Sequence, residues 1–228
     1  MEKDKSILKV KSLYVSFTKE FYTLNDINLE LNTGDKLVIV GDKESGRTAL
    51  LRTIVGLESI AKGEVLYKNI PIEKLDFQND VSLGYVPAVP VLLNNKSVKQ
   101  NVEYVLKLRH KDKHFISATI KNALTEYGLV FIEDKKVKEL NYFDKLKLSL
   151  ARLSTRNLDI LLIDDIFTKL SSMEKEKIVK FIKTLVKTQG CSVLIMTDSE
   201  DVAGMFGYSK KYMVYGSLND EKMESKDD

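Results

Sequence analysis

The first third of the chain alternates apolar and polar residues, which is the pattern of half-buried β-strands. The alternation runs through ILKVKSLYVSF and LNDINLELNTGDKLVIV, and NTGD in the second segment marks a turn between strands. The run LVIV at residues 37–40 is continuously apolar, which is typical of a strand buried on both faces. GEVLYKNIPI predicts a hairpin or an edge strand, with Pro71 near its end. Between these strands, residues at helical spacing predict a helix that ends at Gly56: Leu50, Leu51, Ile54 and Val55.

The middle of the chain has helical periodicity instead. SVKQNVEYVLKLRH begins with Ser97, a residue type that is favoured at helix N-caps. SATIKNALTEYG stops at Gly128, a common C-terminal signal, and DKLKLSLARLS supplies a third helical pattern. We therefore expect a helical block at residues 94–156.

Strands return after this block, in LDILLIDD and CSVLIMT. The segment between them, SMEKEKIVKFIKTLVKTQG, predicts a helix that ends at Gly190. KKYMVYG predicts a last strand, and the charged segment LNDEKMESKDD after it is typical of a frayed terminus. Strands that alternate with helices favour an α/β fold with a mostly parallel sheet.

Composition narrows the class of protein only modestly. The chain has 228 residues, 43% of them apolar, so a sizeable core is expected, and its net charge of +3 does not by itself indicate nucleic-acid binding. A single cysteine, Cys191, excludes an intrachain disulfide framework and is interpreted as a small buried residue in a reducing cytosol. The apolar runs are too short for a membrane span, and MEKDKSILKV does not resemble a signal peptide. We expect a cytoplasmic protein that reaches the membrane only through a partner.

One segment carries a recognisable chemical pattern. Residues 41–49, GDKESGRTA, lie between the LVIV strand and the predicted helix and follow the spacing G-x-x-x-x-G-K-[ST] of phosphate-binding loops, except that Arg47 replaces the lysine. In such loops backbone N–H groups and the helix N-terminus hold phosphate oxygens, and the hydroxyl binds Mg²⁺. The candidate nucleotide-binding residues here are Gly41, Asp42, Lys43, Glu44, Ser45, Gly46, Arg47, Thr48 and Ala49.

A second segment complements this loop. The apolar strand ILLIDD ends in Asp164 and Asp165. In phosphate-loop proteins an aspartate at such a strand end helps to hold Mg²⁺ opposite the loop hydroxyl. Thr48 and Asp164 are therefore the candidate magnesium ligands.

Five landmarks, in this order, resemble those of the ATP-binding cassette (ABC) ATPases over essentially the whole chain. They are LYVSFTKEFYTLNDINLELNTGDKLVIVG, GYVPAVPVLLNNKSVKQNV, LNYFDKLKLSLARL, DILLIDDIFTKLSS and SVLIMTDSED. The resemblance implies a single cassette at residues 1–228 with an antiparallel β subdomain. Its ATPase-like core would comprise residues 1–93 and 157–220, its inserted helical subdomain 94–156, and a charged tail 221–228. Phe17 occupies the place of the aromatic residue that stacks on adenine.

The departures from the family pattern fall on the groups that perform hydrolysis. The glutamine of the family is Ala88, the glutamate that polarises the attacking water is Asp165, the switch histidine is Asp198, and the loop aspartate is Ser171. Asp165 and Asp198 are thus catalytic candidates at altered positions, and Asp165 is shorter than the glutamate by about 1.5 Å. In the phosphate loop, Glu44 replaces a glycine.

The family signature L-S-G-G-Q is also altered. Its last four positions are Asn141, Tyr142, Phe143 and Asp144. The resemblance implies that Tyr142 and Phe143 add bulk, and Asp144 a repelling charge, where the nucleotide of an opposing cassette would bind. Because two cassettes pair head to tail, both composite sites of any pairing would include altered positions of this chain.

The resemblance leaves three hypotheses for function. The first is a weakly hydrolysing or non-hydrolysing coupling or regulatory component of an ABC transporter-like complex. The second is an active but divergent transporter ATPase, and the third is a nucleotide-independent scaffold unrelated to transport. ATP and Mg²⁺ are the expected cofactors if binding is retained, and none otherwise; the expected partners are a membrane permease, a second cassette, or both.

Other classes are less well supported. NNKS at residues 94–97 lacks the aspartate of a guanine-binding motif, since Val98 follows, and the helical block is too short for a DNA-repair cassette. His110 and His114 have the i, i+4 spacing of metal ligands, but their mostly basic neighbours favour a solvated face.

Overall fold

Two β-sheets organise the chain. The computed structural model describes residues 6–16, 21–76, 82–109 and 112–222. The first sheet is antiparallel and has the strand order β2-β1-β4-β5; its strands are β1 Ser6–Val15, β2 Leu24–Asn32, β4 Lys62–Tyr67 and β5 Ile70–Pro71.

The second sheet has the order β10-β9-β3-β8-β7-β6 and is mostly parallel, since β3 pairs in parallel with β8 and β9, and β7 with β8. Its strands are β3 Lys36–Gly41, β6 Leu83–Val86, β7 Ile160–Asp164, β8 Ser192–Thr197, β9 Ser209–Val214 and β10 Ser217–Asn219. The predicted α/β class, with a mostly parallel sheet and a separate antiparallel sheet, is confirmed.

Helices separate most of these strands. The α-helices are α1 Arg47–Ile54, α2 Val98–Lys107, α3 Lys113–Glu126, α4 Tyr142–Ser154, α5 Ser172–Gln189 and α6 Glu200–Phe206. Short 3₁₀ turns lie at Ile72–Lys74, Val130–Ile132 and Val137–Glu139.

The chain forms two compact units. The first unit comprises the described parts of residues 1–85, 159–165 and 190–228, and so contains the antiparallel sheet, α1, α6 and the second sheet, with β6 included as far as Tyr85. The second unit comprises the described parts of residues 86–158 and 166–189, and contains α2 to α5. The subdomain boundaries at 94–156 stay a prediction.

The core of the first unit follows from the burial of its strands. Every residue of β7 and β8 is buried, and so are the four residues of the LVIV run in β3. These strands have apolar residues on both faces, as expected for the centre of a parallel sheet. The helix α1 packs against β7 and contributes Leu50, Leu51 and Ile54 to the same core.

Local end signals define the helices of the second unit. Ser97 caps α2 in a capping box, since its side chain accepts from the Gln100 N–H and the Gln100 side chain accepts from the Ser97 N–H. The sequence predicted this cap and also the end of α3 at Gly128, which has a φ of 61°. The packed pairs are α2 with α3 and α4, α3 with α4, and α4 with α5.

Two elements near the C-terminus were missed by the sequence analysis. The segment assigned to a frayed tail begins with β10, in which Leu218 pairs with Met213 and Asn219 with Tyr212 of β9. The polar residues of β10 give no strand pattern in the sequence, because only the pairing with β9 makes this segment a strand. The short helix α6 was also not predicted. It is capped by the Ser199 side chain and ends at Gly207. Residues 223–228 lie outside the described residues.

Candidate nucleotide site

The predicted phosphate loop, residues 41–49, runs from the last residue of β3 into the first turn of α1. Neighbouring atoms leave no room for a side chain at either of its two glycines. A Cβ on Gly41 would lie 2.4 Å from the Met213 carbonyl oxygen, and one on Gly46 would lie 2.8 Å from Leu24 Cδ2. Gly46 also has a φ of 101°, a conformation that side chains oppose. The glycine spacing noted in the sequence therefore has a steric cause.

The β9–β10 hairpin holds the backbone of the loop through a hydrogen bond. The Gly216 N–H donates to the Ser45 carbonyl oxygen over 2.9 Å, and the Ser45 N–H closes a turn onto the Asp42 carbonyl. The hairpin turn, Tyr215 and Gly216, has positive φ at both positions, as a type I′ turn requires. The hairpin thus fixes the loop backbone from a distant part of the sequence.

Arg47 lies inside the first unit rather than on its surface. Its side chain is 4% exposed, and its Nη2 donates to Asp165 Oδ2 over 3.3 Å. Nη2 also lies 3.5 Å from the Asp42 carbonyl oxygen. Among the described residues, Nε and Nη1 are buried with no hydrogen-bond partner. Arg47 therefore forms an ion pair with the acid at the end of β7 and retains two unused donors.

The candidate magnesium ligands are in direct contact. The Thr48 hydroxyl donates to Asp164 Oδ1 over 3.0 Å, and the Tyr85 hydroxyl donates to Asp164 Oδ2 over 3.2 Å. Burial raises the pKa of Asp164 above its ordinary value, although both hydrogen bonds act in the opposite direction. Burial, followed by the charge of Asp164, also raises the pKa of Tyr85, so its hydroxyl is a donor at neutral pH.

The other candidate residues of the first unit lie at the surface or, for Asp165, in strained backbone. Asp165 has a φ of 43° and its N–H donates to the Met196 carbonyl oxygen. Asp42, Lys43 and Glu44 are exposed, and so is Asp198, directly after β8. The Glu44 carboxylate is therefore accessible to solvent, which screens its charge.

These residues fit a phosphate group of a nucleotide. The loop supplies backbone donors and a helix N-terminus, and Arg47 supplies two buried donors without partners. The buried Ser45 hydroxyl likewise has no partner among the described residues. Thr48 and Asp164 together supply the hydroxyl and carboxylate oxygens that Mg²⁺ prefers. The roles of these residues stay predictions.

The signature segment, residues 140–144, belongs to the second unit. Asn141 caps α4 by accepting from the Asp144 N–H, and the Asp144 carboxylate pairs with Lys147 over 2.7 Å. Lys147 Nζ also lies 5.0 Å from the centre of the Phe143 ring. The charge of Asp144 is thus compensated within its own helix.

Tyr142 makes the most extensive contacts of this segment. Its hydroxyl lies 2.8 Å from the carbonyl oxygen of Ala88 and 3.1 Å from that of Ile166, and donates to this pair. It therefore connects α4 to the loop that contains Ala88 and to the segment that begins at Ile166. The hydroxyl end of Tyr142 is directed into its own chain.

Two further side chains hold the loop at residues 87–93. Arg152 donates to the Val91 carbonyl over 3.0 Å, and Asn101 exchanges hydrogen bonds with the backbone of Leu93. Burial lowers the pKa of Arg152. The loop is thereby fixed while Val89 and Val91 remain 71% and 77% exposed.

Ser171, at the position predicted for the loop aspartate, lies directly before α5. Its N–H and hydroxyl both donate to Glu174 Oε2, over 2.9 and 2.8 Å. These bonds lower the pKa of Glu174. The Ser171 hydroxyl also accepts from the Glu174 N–H over 3.4 Å, so Ser171 acts as the N-terminal cap of α5.

The sequence analysis did not identify Tyr85, Asn101 or Arg152 as parts of these sites. Tyr85 stands within GYVP, and only the fold brings its hydroxyl to Asp164. Phe17 and His110 lie outside the described residues. Within the described ranges, no three histidine, cysteine or carboxylate side chains lie close enough together to hold a metal ion, and His114 is thus not part of such a group.

Comparisons with known proteins define the class. The ABC transporter family profile matches residues 24–168, and the chain therefore belongs to the ABC transporter family. A lipoprotein-releasing system ATP-binding protein, LolD, of Francisella tularensis is 28% identical over 204 residues, which are 87% of this chain and 88% of that protein.

Other relatives are longer than this chain. A putative ABC transporter ATP-binding protein of Clostridium tetani is 24% identical over 214 residues, which cover 93% of this chain and 48% of that protein. The match to a molybdate/tungstate import ATP-binding protein, WtpC, of Pyrococcus horikoshii covers 61% of the length of that protein. The chain thus spans about half to three fifths of the length of these two relatives.

Solved structures share the fold. CbiO1 of Clostridium perfringens, part of a transporter complex, superposes with a TM-score of 0.82 at 23% identity, covering 94% of this chain and 87% of that one. A dimeric ATP-binding cassette bound to ADP and phosphate superposes with a TM-score of 0.81 at 23% identity, covering 95% and 100%. Both likenesses establish the ABC cassette fold. None of the helices in the described part of the chain has the length and apolar character to cross a bilayer.

Proposed function

We propose that the chain is a nucleotide-binding subunit of an ABC transporter-like complex that couples or regulates without ordinary ATP hydrolysis. The observation that carries this proposal is the ion pair between Arg47 and Asp165. It places a buried cation in the phosphate loop, which favours nucleotide binding. It also engages the acid that stands where the family has its water-activating glutamate.

Binding would use groups that are already arranged. The loop N–H groups and the N-terminus of α1 would hold the phosphates, with Arg47 adding charge-assisted hydrogen bonds. Thr48 and Asp164 would hold Mg²⁺, which when bound neutralises phosphate charge. Tyr85 would keep the Asp164 carboxylate oriented.

Hydrolysis lacks comparable support. A general base must reach the proton that it abstracts, and contributes about 10²- to 10⁴-fold in rate. The Asp165 carboxylate is shorter than glutamate and already pairs with Arg47. Ala88 has no polar side chain, and the exposed Asp198 places an acid where the family has its histidine. Weak turnover or none is the expected result.

The proposed partners are a membrane permease and a second cassette, with the chain in the cytoplasm. Exposed apolar side chains in the second unit favour a protein partner, since Val89, Val91, Tyr104 and Leu108 are each at least 49% exposed. The second unit also holds 20 of the 36 lysines and arginines but only 9 of the 33 acids. Such an excess of positive charge favours a partner surface, or a membrane beside it, that carries negative charge.

Binding can be tested with the melting temperature. Because a ligand that binds only the folded state stabilises it, Mg-nucleotide should raise the melting temperature of the wild type. Thr48→Ala should lose the Mg²⁺-dependent part of this shift, whereas Thr125→Ala, a surface threonine of α3, should keep it. No shift at millimolar nucleotide would overturn nucleotide binding.

The same preparation separates the alternatives. The contact of Thr48 with Asp164 favours an active divergent ATPase, and turnover at ordinary cassette rates that Asp164→Ala abolishes would establish it in place of our proposal. The exposed acids Glu44 and Asp198 favour a nucleotide-independent scaffold. That alternative would be supported if binding were absent in the wild type.

A further inference from the structure

We infer that the phosphate loop selects nucleoside diphosphates over nucleoside triphosphates, and that the ion pair between Arg47 and Asp165 sets this preference. The inference rests on the proposed function, since it assumes that the loop binds nucleotide. It adds the phosphate class of the ligand to that function.

The part of the loop that holds the inner phosphates is complete. In phosphate loops the backbone N–H groups cradle the α- and β-phosphates. Here both glycines are retained where a Cβ would collide, and the Gly216 N–H fixes the Ser45 carbonyl behind the loop. A diphosphate can therefore use this backbone without any change in the side chains around it.

The part that would hold the terminal phosphate is compromised. The lysine of such loops reaches the β- and γ-phosphates. The guanidinium of Arg47 has already committed Nη2 to the Asp165 carboxylate, and only Nε and Nη1 remain without partners. Each edge of a guanidinium that can bind a phosphate bidentately includes Nη2, which here already lies against Asp165 and the Asp42 carbonyl oxygen. While its pair with Asp165 stays intact, Arg47 can therefore offer a terminal phosphate only separate, single hydrogen bonds from Nε and Nη1.

A γ-phosphate would have to displace Asp165 or lie close to it. The Arg47 side chain is 4% exposed and that of Asp165 is 20% exposed, so solvent screens their interaction incompletely. A triphosphate also carries more negative charge than a diphosphate. The carboxylate therefore opposes ATP more strongly than ADP.

The test measures the dissociation constants of Mg-ADP and Mg-ATP by calorimetry for the full-length wild type and for Asp165→Asn. Asparagine suits the backbone at this position because it tolerates positive φ better than most residues. It keeps the size of the side chain but removes the charge that competes with phosphate. The matched control is Asp201→Asn, which makes the same change of charge at an exposed position of α6.

The expected result is that the wild type binds ADP at least about tenfold more tightly than ATP, as expected if one charge-assisted interaction is lost. Asp165→Asn should reduce this ratio about tenfold, mainly by tightening ATP, whereas Asp201→Asn should leave it unchanged. Wild-type binding of ATP as tight as ADP would overturn the inference and leave the proposed function standing. A preference for ADP that survives Asp165→Asn, or that Asp201→Asn also removes, would overturn the role of the ion pair. Failure of both nucleotides to bind any variant would overturn the proposed function itself.

Discussion

The phosphate loop and the signature segment depart from the family pattern in different ways. In the phosphate loop, Gly41 and Gly46 keep the spacing that predicts phosphate binding, and the proposed changes lie in charged side chains such as Arg47. In the signature segment, side chains stand where the family pattern predicts glycines, and they bond within their own unit. We propose that the first region retains a ligand-binding framework, whereas the second uses its positions for internal structure.

This contrast is the basis of our proposal that the fold keeps nucleotide binding while losing ordinary catalysis. A backbone framework depends on a few glycines and neighbours, so charge changes around it alter affinity without altering shape. A glycine-rich surface lets a ligand approach the backbone, and side chains in place of the glycines block that approach. Tyr142 instead forms hydrogen bonds within its own unit. The proposed binding without ordinary turnover follows from this difference.

The largest effect is expected from a substitution that distorts the backbone of the phosphate loop. Gly41→Ala should lower stability by about 2–3 kcal/mol, because its Cβ would lie 2.4 Å from the Met213 carbonyl oxygen. We expect the melting temperature to fall by about 5–10 °C in a thermal unfolding experiment. Gly204→Ala is the control, since no atom lies within 4 Å of its added Cβ and helical alanine is favourable. Equal effects of the two substitutions would contradict a sterically required loop.

A smaller effect tests the internal bonds of the signature segment. Tyr142→Phe should cost about 1–2 kcal/mol, because the Ala88 and Ile166 carbonyls lose their donor. Hydrogen exchange should become faster at residues 87–93 and 166–171, and the dissociation constant of Mg-ADP should stay the same. Tyr215→Phe, at an 89% exposed position, should change neither quantity. Unchanged exchange in Tyr142→Phe would show that the hydroxyl does not hold these loops.

The smallest effect concerns Ser171 and depends on pH. Ser171→Ala should lower the melting temperature by about 2–4 °C at pH 7, because α5 loses a cap. The pKa of Glu174 is lowered in the folded state, so its contribution is present above its unfolded pKa and lost as pH falls through the folded pKa. The difference from the wild type should therefore shrink as the pH falls through the lowered pKa of Glu174. Ser172→Ala is the control, and a pH-independent difference would argue against the bond to Glu174.

Local features of the sequence were sufficient to predict much of this arrangement. The glycine spacing of the phosphate loop, the cap at Ser97 and the helix end at Gly128 depend on neighbours in the sequence. The continuous apolar runs likewise predicted the central strands β3, β7 and β8.

Contacts between distant residues could not be predicted in this way. Arg47 and Asp165 are 118 positions apart, and only the parallel sheet and α1 bring them together. The sequence suggested that Tyr142 adds bulk, but the direction of its side chain depends on the packing of α4. The strand β10 was missed because three largely polar residues acquire strand structure only by pairing with β9.

The central claim, binding without ordinary hydrolysis, is tested most directly by a single-turnover experiment. Labelled Mg-ATP is mixed with an excess of protein at a concentration where the melting shift shows that it is bound, and its conversion to ADP is followed. The account predicts that bound ATP persists for many minutes, whereas an ordinary enzyme turns over in about 1 s or less. Conversion of the bound ATP within seconds, abolished by Asp164→Ala, would contradict it.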